Sequence, residues 1–242
     1  MYWEQLTAKS FHENVENGEM TAILPVGSVE AHGMHCPLGA DNIAPLEFCR
    51  RLEARYSDRL IVLPIIPYGH NWELAHFSGT IAIPSRVFGE FVAETGKEVG
   101  RWGVKNLVIM NGHGGNNAAL HEAMENMGNA GIRSVLISWW LDYAKEIRTI
   151  TSGQGHAGED ETAVMLALAP DWVHMEDATF NPYVPNFYVK GPGLHEKVLY
   201  DATTGDGRLA TREKGERIVD VVTDRMAELL EDLWADRLFH TL

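Results

Sequence analysis

Short, continuously apolar runs alternate along the chain with longer segments in which apolar residues recur every three or four positions. The short runs predict buried β-strands, and the longer segments predict amphipathic helices. The predicted strands cover residues 21–29, 60–66, 106–110 and 133–138, and the predicted helices cover residues 43–56, 85–102, 116–128 and 211–238. The alternation favours parallel strand pairs joined by crossover helices. We therefore expect an α/β fold, with a mainly parallel sheet covered by helices on both faces.

Local signals place several helix ends. Ser85 resembles a helix N-cap, and Gly103 and Gly131 stand where predicted helices should stop. The segment 181–206 is rich in Gly, Pro and aromatic residues and is predicted as an ordered loop region. The chain shows no internal repeat, low-complexity tract or linker, so residues 1–242 are predicted to form a single domain.

Composition narrows the classes of function. The chain has 20 Lys and Arg against 34 Asp and Glu, a net charge of −14, which disfavours a nucleic-acid or anionic-membrane partner. Two cysteines cannot build a disulfide framework, and the N-terminus lacks the basic and apolar regions of a signal peptide. No apolar run approaches the roughly 20 residues that span a bilayer. We expect a soluble, cytoplasmic protein.

A first polar segment follows the first predicted strand, where ligands of open parallel sheets bind. Glu30 and His32 are two residues apart and project to the same side of an extended chain. Gly33 permits a turn, and Gly39 could let the chain return Asp41 toward this pair. Two carboxylates and an imidazole are a mixed ligand set that Zn, Mn or Fe accepts. The alternative is a polar loop held by side-chain hydrogen bonds.

A second segment, Asn111-Gly-His113-Gly-Gly-Asn116, follows the third predicted strand. His113 offers a ring nitrogen to a metal. Gly114 and Gly115 let the main chain approach a substrate closely, and Asn116 could cap the next helix or contact the substrate. The alternative is a flexible turn with a solvent-exposed histidine.

A third segment, Gly155-His156-Ala-Gly-Glu159-Asp-Glu161-Thr162, leads into an apolar helix. Glu161 is predicted to face inward, where a carboxylate needs a partner such as a metal. Glu159 has a simpler explanation as an anion at a helix N-terminus. His156 could transfer protons, because imidazole titrates near neutrality.

Together these three segments resemble the creatininase (creatinine amidohydrolase) family. The matching motifs are Glu30-x-His32-Gly-x-His35-x-Pro-Leu-Gly-x-Asp41, Asn111-Gly-His113-Gly-Gly-Asn116 and His156-Ala-Gly-x-x-Glu161-Thr162. The resemblance extends over essentially the whole chain. It implies a three-layer α/β/α fold, one or two divalent metal ions and a homo-oligomer, commonly a hexamer. It also implies that Glu30, His32, Asp41 and His113 are metal ligands and that His156 is catalytic.

One departure from the family pattern affects the ligand set. Members that hydrolyse creatinine carry an aromatic residue and then a ligand glutamate where this chain has Gly114 and Gly115. We expect Glu161 to supply the missing carboxylate and to take part in catalysis. The double glycine looks more like relatives that remove formyl groups from formamidopyrimidine nucleotides, mature peptide cofactors or hydrolyse oxidised inositols.

The leading hypothesis is hydrolysis of an amide or cyclic-amide C–N bond in a small polar substrate by metal-activated water, with oxyanion stabilisation around Gly114–Asn116. One alternative keeps the metals but cleaves a C–C bond of a keto-inositol. Another is a metal-binding maturation protein without catalysis. A metal-free thiol hydrolase using Cys36 is a further alternative.

For several other residues the sequence gives weaker evidence of a role in the site. His35 is expected to orient a neighbouring group rather than bind metal. His76 is predicted to line the pocket, and Trp139 is predicted to form a wall for the substrate, although core packing explains Trp139 or Trp140 equally well. Asp206 and Arg208 could form an ion pair that fixes a loop.

Overall fold

Four parallel strands form the central sheet of the protein. The computed structural model describes residues 1–16, 20–183, 189–191, 193 and 198–239. The strands are β1 (Thr21–Val26), β2 (Leu60–Val62), β3 (Asn106–Asn111) and β4 (Arg133–Ser138). They lie in the order β2-β1-β3-β4, and every pairing is parallel.

Helices connect and cover these strands. They are α1 (Ala8–Asn14), α2 (Ala40–Arg55), α3 (Ser85–Arg101), α4 (Asn117–Asn129), α5 (Trp139–Asp142), α6 (Ala144–Ile147), α7 (Glu159–Leu168) and α8 (Arg212–Trp234). A small antiparallel pair, β5 (Phe180–Asn181) and β6 (Gly205–Asp206), lies apart from the main sheet.

Side chains that alternate along the strands build a separate core on each face of the sheet. Val108 packs on one face with Phe48 of α2 and with the buried sides of α7 and α8. The next residue back, Leu107, packs on the opposite face with Phe88 of α3 and with α4. Successive strand residues point to opposite faces, so a strand buried on both sides is apolar throughout. The α/β fold class, with helices on both faces of a parallel sheet, is confirmed.

The bounds of several elements differ from the predictions. The first two strands end at Val26 and Val62, short of the predicted residues 29 and 66. The helix α3 begins at Ser85, but its N-cap is Pro84, and no side chain caps it. The predicted segment 181–206 lies partly outside the described residues.

Glycines end two helices as predicted. Gly103 and Gly131 follow α3 and α4 with φ angles of 91° and 84°. This left-handed conformation is easily reached only without a Cβ. The last helix, α8, is shorter than the predicted range 211–238. Its N-cap, Thr211, accepts a hydrogen bond from the main chain of Lys214 at 3.3 Å.

The register of the sheet places the functional loops side by side. Val26 at the end of β1 pairs with Asn111 at the end of β3, and Asn111 pairs with Ser138 at the end of β4. The loops that follow these strands therefore leave the same edge. In the part of the chain that the structure describes, no helix is long and apolar enough to cross a membrane.

Candidate metal centre and active site

The loops at this edge bring Glu30, Asp41 and His113 together. Glu30 follows β1, Asp41 lies in the first turn of α2, and His113 follows β3. Nδ1 of His113 lies 3.0 Å from Oε2 of Glu30 and 3.1 Å from Oδ2 of Asp41. All three side chains are buried, and their ligand atoms lie within 4.8 Å of one another. Three predicted ligands thus form one group.

A second group shares Glu30 with the first and adds His32 and His156. Nδ1 of His156 lies 3.6 Å from Oε1 of Glu30, and the rings of His32 and His156 have centroids 4.3 Å apart. Nε2 of His32 lies 3.0 Å from Oδ1 of Asp41. Each of the two carboxylates therefore presents one oxygen to each side of the centre.

Hydrogen bonds to main-chain oxygens orient the three imidazoles. Nε2 of His113 donates to the oxygen of His70 at 2.9 Å, and Nδ1 of His32 donates to the oxygen of Glu30 at 3.2 Å. Nε2 of His156 donates to the oxygen of Ala31 at 2.8 Å. In a neutral imidazole the second nitrogen then carries a lone pair. In all three rings that nitrogen faces the carboxylates, as in metal-binding histidines whose other nitrogen is held by a carbonyl.

Several atoms of the centre have no hydrogen-bond partner within the described residues. They are both carboxylate oxygens of Glu30, Oδ2 of Asp41 and Nε2 of His32, and all are buried. Burying polar atoms without partners is costly, so such atoms need an explanation. A divalent cation satisfies carboxylate oxygens and imidazole lone pairs together, and the donor set suits Zn, Mn or Fe. The residues present therefore fit one or two such ions.

Electrostatics show that the centre favours positive charge. Burial by itself lowers the pKa of His32, but Asp41 and the neighbouring carboxylates outweigh it and raise this pKa to about 10. Burial likewise opposes protonation of His113, and Glu30 and Asp41 overcome it, so that its pKa lies well above the usual value. The buried carboxylates thus stabilise a cation at His32 and His113. His156 differs, because burial and the nearby His32 lower its pKa to about 4.

Glu161 approaches the centre from the first turn of α7. Its Oε2 accepts a hydrogen bond from the main chain of Ala157 at 2.8 Å and lies 3.7 Å from Nε2 of His32 and 3.9 Å from Nδ1 of His156. Burial, with the nearby Asp160 and Asp41 carboxylates, raises the pKa of Glu161 to about 8. Glu161 faces inward as expected, but it belongs to neither three-residue group.

The turn that carries His156 is held by residues around it. Ala157 has a φ of 49°, an uncommon left-handed conformation for a residue with a Cβ. Thr162 donates to the oxygen of Ala157 at 3.1 Å and shares a 2.8 Å hydrogen bond with Nε2 of His35. His35 therefore helps to hold the turn at Ala157 by fixing the hydroxyl of Thr162. This agrees with its expected orienting role.

The centre opens into a cavity of about 650 Å³. Glu30, Asp41, His113, His156 and Glu161 all line this cavity. Trp140, one of the two tryptophans considered for the wall, also lines the cavity, as do His70, Trp72, Arg148 and Gln154, which the sequence did not assign to the site. Their positions follow from loop paths, and only the adjacent tryptophans at the end of β4 gave a sequence signal.

The two glycines of the second motif differ in the space around them. A Cβ on Gly114 would contact the ring of Trp140 at 3.7 Å, an ordinary packing distance. A Cβ on Gly115 would overlap the oxygen of His70 and Nε2 of His113. Position 115 therefore cannot carry a ligand side chain in this arrangement.

The structure places three of the predicted substrate contacts outside the lining of this cavity. Trp139 is 2 % exposed and packs against Phe48 in the core, so Trp140 forms the wall in its place. Asn116 is completely buried, and its amide binds main-chain atoms at positions 27 and 70 rather than capping α4. His76 is exposed, contacts the ring of Phe77 and does not line the cavity.

Comparison with known proteins agrees with this geometry. The family model Creatininase, described as creatinine amidohydrolase, matches residues 4–230. The creatinine amidohydrolase of Pseudomonas putida is 30 % identical over 255 residues, covering 94 % of this chain and 95 % of that protein. A solved structure described as creatininase Mn has a TM-score of 0.84 and 28 % identity, and the match covers 96 % of this chain and 98 % of that one.

The fold and the site therefore define an α/β protein of the amidohydrolase type. The chain belongs to the creatininase family. Its relatives also include a mycofactocin precursor peptide peptidase of Mycobacterium tuberculosis, 30 % identical over 84 % of this chain and 81 % of that protein. Another solved neighbour is a creatininase variant of the Zn-Zn type, with a TM-score of 0.83, 27 % identity and coverage of 96 % and 98 %.

Proposed function

We propose that this protein is a metal-dependent hydrolase that cleaves an amide or cyclic-amide C–N bond in a small polar substrate. The observation that carries the proposal is the set of buried, unpartnered carboxylate oxygens and imidazole lone pairs, gathered where β1 and β3 end. Membership of the creatininase family supports the same class of reaction.

The chain offers ligands for two ions. Glu30, Asp41 and His113 would hold one ion. His32 and the second oxygen of Asp41 would hold the other, with Glu161 as the carboxylate that compensates for Gly115. When bound, such an ion supplies Lewis acidity, which lowers the pKa of a bound water toward about 7 and polarises a carbonyl group.

The protein's own groups would manage the proton and the developing charge. His156 presents the lone pair of Nδ1 to the centre, since its Nε2 hydrogen is donated to Ala31. This Nδ1 would receive a proton from the attacking water and deliver it to the leaving nitrogen. The main chain of Gly114 and Gly115 lines the cavity and would stabilise the oxyanion that forms on the substrate.

A second candidate reaction is hydrolysis of a keto-inositol with cleavage of a C–C bond. A relative named 3-dehydro-scyllo-inosose hydrolase, from Thermotoga maritima, is 22 % identical over 96 % of this chain and 83 % of that protein. The closed space at Gly115, where creatinine-hydrolysing relatives are expected to carry a ligand, favours a substrate other than creatinine. Turnover of creatinine, small formamides and oxidised inositols side by side would separate these reactions.

Metal content and activity together test the proposal. The purified protein should contain one or two equivalents of a divalent metal by mass spectrometry, and His113→Ala should lose at least one of them. His174→Ala is a matched control, because His174 is exposed and lies outside the cavity. Dialysis against a chelator should abolish hydrolysis, and added metal should restore it. Full hydrolytic activity in metal-free protein would contradict the proposal.

Binding of metal without turnover of any amide would instead favour a maturation protein that binds a peptide partner. A cytoplasmic location and a homo-oligomer, a hexamer by analogy with the family, stay predictions.

A further inference from the structure

A cationic side chain stands in the wall of the cavity without a carboxylate partner in the described part of the chain. Arg148 directly follows α6, and its side chain lines the same cavity as His113 and Glu161. Lys190, another cation in this wall, lies 3.4 Å from a carboxylate oxygen of Glu73. The guanidinium of Arg148 makes no such ion pair with any described residue. Its charge is therefore available to something that enters the cavity.

Gln154 fixes the guanidinium by one edge. Nε of Arg148 donates to Oε1 of Gln154 at 3.0 Å. The amide of Gln154 is itself held, because its Nε2 donates to the oxygen of Trp140 at 3.0 Å and to Oδ2 of Asp160 at 3.3 Å. The bond to Gln154 uses Nε of Arg148 and leaves its two Nη groups for another acceptor. Paired N–H groups of this kind match the two oxygens of a carboxylate.

The negative charge around Arg148 indicates what kind of substrate group this cation could bind. The chain carries a net charge of −14, and several carboxylates line the cavity. Such a wall repels an anionic substrate unless a local positive charge receives it. Bound metal ions would occupy the end of the cavity at Glu30 and Asp41, whereas Arg148 belongs to the segment that follows β4.

We propose that Arg148 binds a carboxylate of the substrate, so that the natural substrate is an amide that also carries a carboxylate group. The inference rests on the proposed function, since it names the substrate class of that same site. Trp140 accepts a hydrogen bond from Gln154 on its main-chain oxygen. Its ring lies beside Gly114 and would flank the body of such a substrate.

Binding to the metal-loaded protein tests this subsite without requiring turnover. Malonamate, succinamate and glutaramate place an amide and a carboxylate at increasing separations, and each has a neutral diamide of matching length. Calorimetry should show that the wild-type protein prefers at least one of these carboxylates by about tenfold, as a charge-assisted hydrogen-bonded pair predicts. Arg148→Met should remove the preference, and Arg148→Lys should keep part of it. Lys145→Met, an exposed cation on α6 outside the cavity, should leave it unchanged.

Each result bears on the proposal. An equal preference in Arg148→Met and in the wild-type protein would overturn it, as would the absence of any preference in the wild-type protein. Tighter binding of phosphonoacetamide than of malonamate, also lost in Arg148→Met, would overturn the carboxylate assignment in favour of a phosphate-like group. An Arg148-dependent preference without hydrolysis of any amide would support the subsite while contradicting the proposed function.

Discussion

Nε2 of His113 and the carbonyl oxygen of His70 form a 2.9 Å hydrogen bond in the space that a side chain at position 115 would need. This bond fixes the tautomer of His113, so that Nδ1 faces Glu30 and Asp41. The orientation of His113 therefore requires a glycine at position 115.

Gly115→Ala should weaken metal binding. The added Cβ must displace either the main chain at His70 or the ring of His113, and both movements disturb Nδ1. We expect a loss of metal affinity of about 10- to 100-fold, the range for disrupting groups that orient a ligand. Competition with a chelator would measure it, and Gly114→Ala serves as the control because Gly114 has room for a Cβ. Equal affinities in the two variants would contradict this account.

The roles of Glu161 and His156 can be separated by metal content. If Glu161 is a ligand and His156 transfers protons, Glu161→Gln should lose about one metal equivalent, while His156→Gln should keep its metal and lose kcat. A proton-transfer group contributes about 10²–10⁴-fold to the rate. Loss of metal from His156→Gln would instead identify His156 as a ligand, in agreement with its place in the second three-residue group.

A buried ion pair next to the site should make stability depend on pH. Glu159 accepts hydrogen bonds from Lys214 at 2.6 Å and from the side chain of Ser152 at 2.7 Å. Burial opposes ionisation of Glu159, but these bonds outweigh it, so its pKa lies below the usual value of 4.5 for a glutamate. A lowered pKa stabilises the folded state above the unfolded pKa, and that contribution is lost as pH falls through the folded pKa.

Glu159→Gln should therefore lower the free energy of unfolding by about 1–3 kcal/mol at pH 7, because Lys214 and the Ser152 groups lose a charged acceptor. The difference from the wild-type protein should shrink below pH 4.5, where the unfolded carboxylate is protonated. Urea unfolding at several pH values would measure it. Glu213→Gln, on the exposed start of α8, provides the control. A constant difference across the pH range would count against the ion pair.

Cys36→Ser should retain hydrolytic activity. Burial raises the pKa of the Cys36 thiol to about 12, and the sulfur contacts Thr162 at 3.7 Å rather than a histidine. A thiol that stays protonated is a poor nucleophile. Loss of activity with unchanged metal content would support the alternative of a thiol hydrolase that uses Cys36.

The sequence indicated most of the fold because the strands are buried on both faces. Residues 21–26 and 106–111 are apolar almost throughout, as strands between two helical layers must be. The ends of β1 and β2 were less predictable, since Val29 and residues 63–66 continue the apolar pattern after the chain has left the sheet.

The convergence of Glu30, His32, Asp41 and His113 could also be predicted, because three polar segments follow strands or begin helices at one sheet edge. The lining of the cavity could not. Trp139 and Trp140 are adjacent and equally apolar, and only the path of the chain into α5 decides that Trp139 turns to Phe48. Likewise, nothing in the sequence shows that Asn116 bridges two loops instead of facing a substrate.

The separation of ligands from cavity wall has an evolutionary consequence. The candidate ligands come from the segments after β1 and β3 and from the start of α7, whereas Trp140, Arg148 and Gln154 come from the segment after β4. Mutations in that last segment can change the wall of the cavity without moving the candidate ligands. A chain built in this way can evolve a new specificity while its candidate metal centre stays constant.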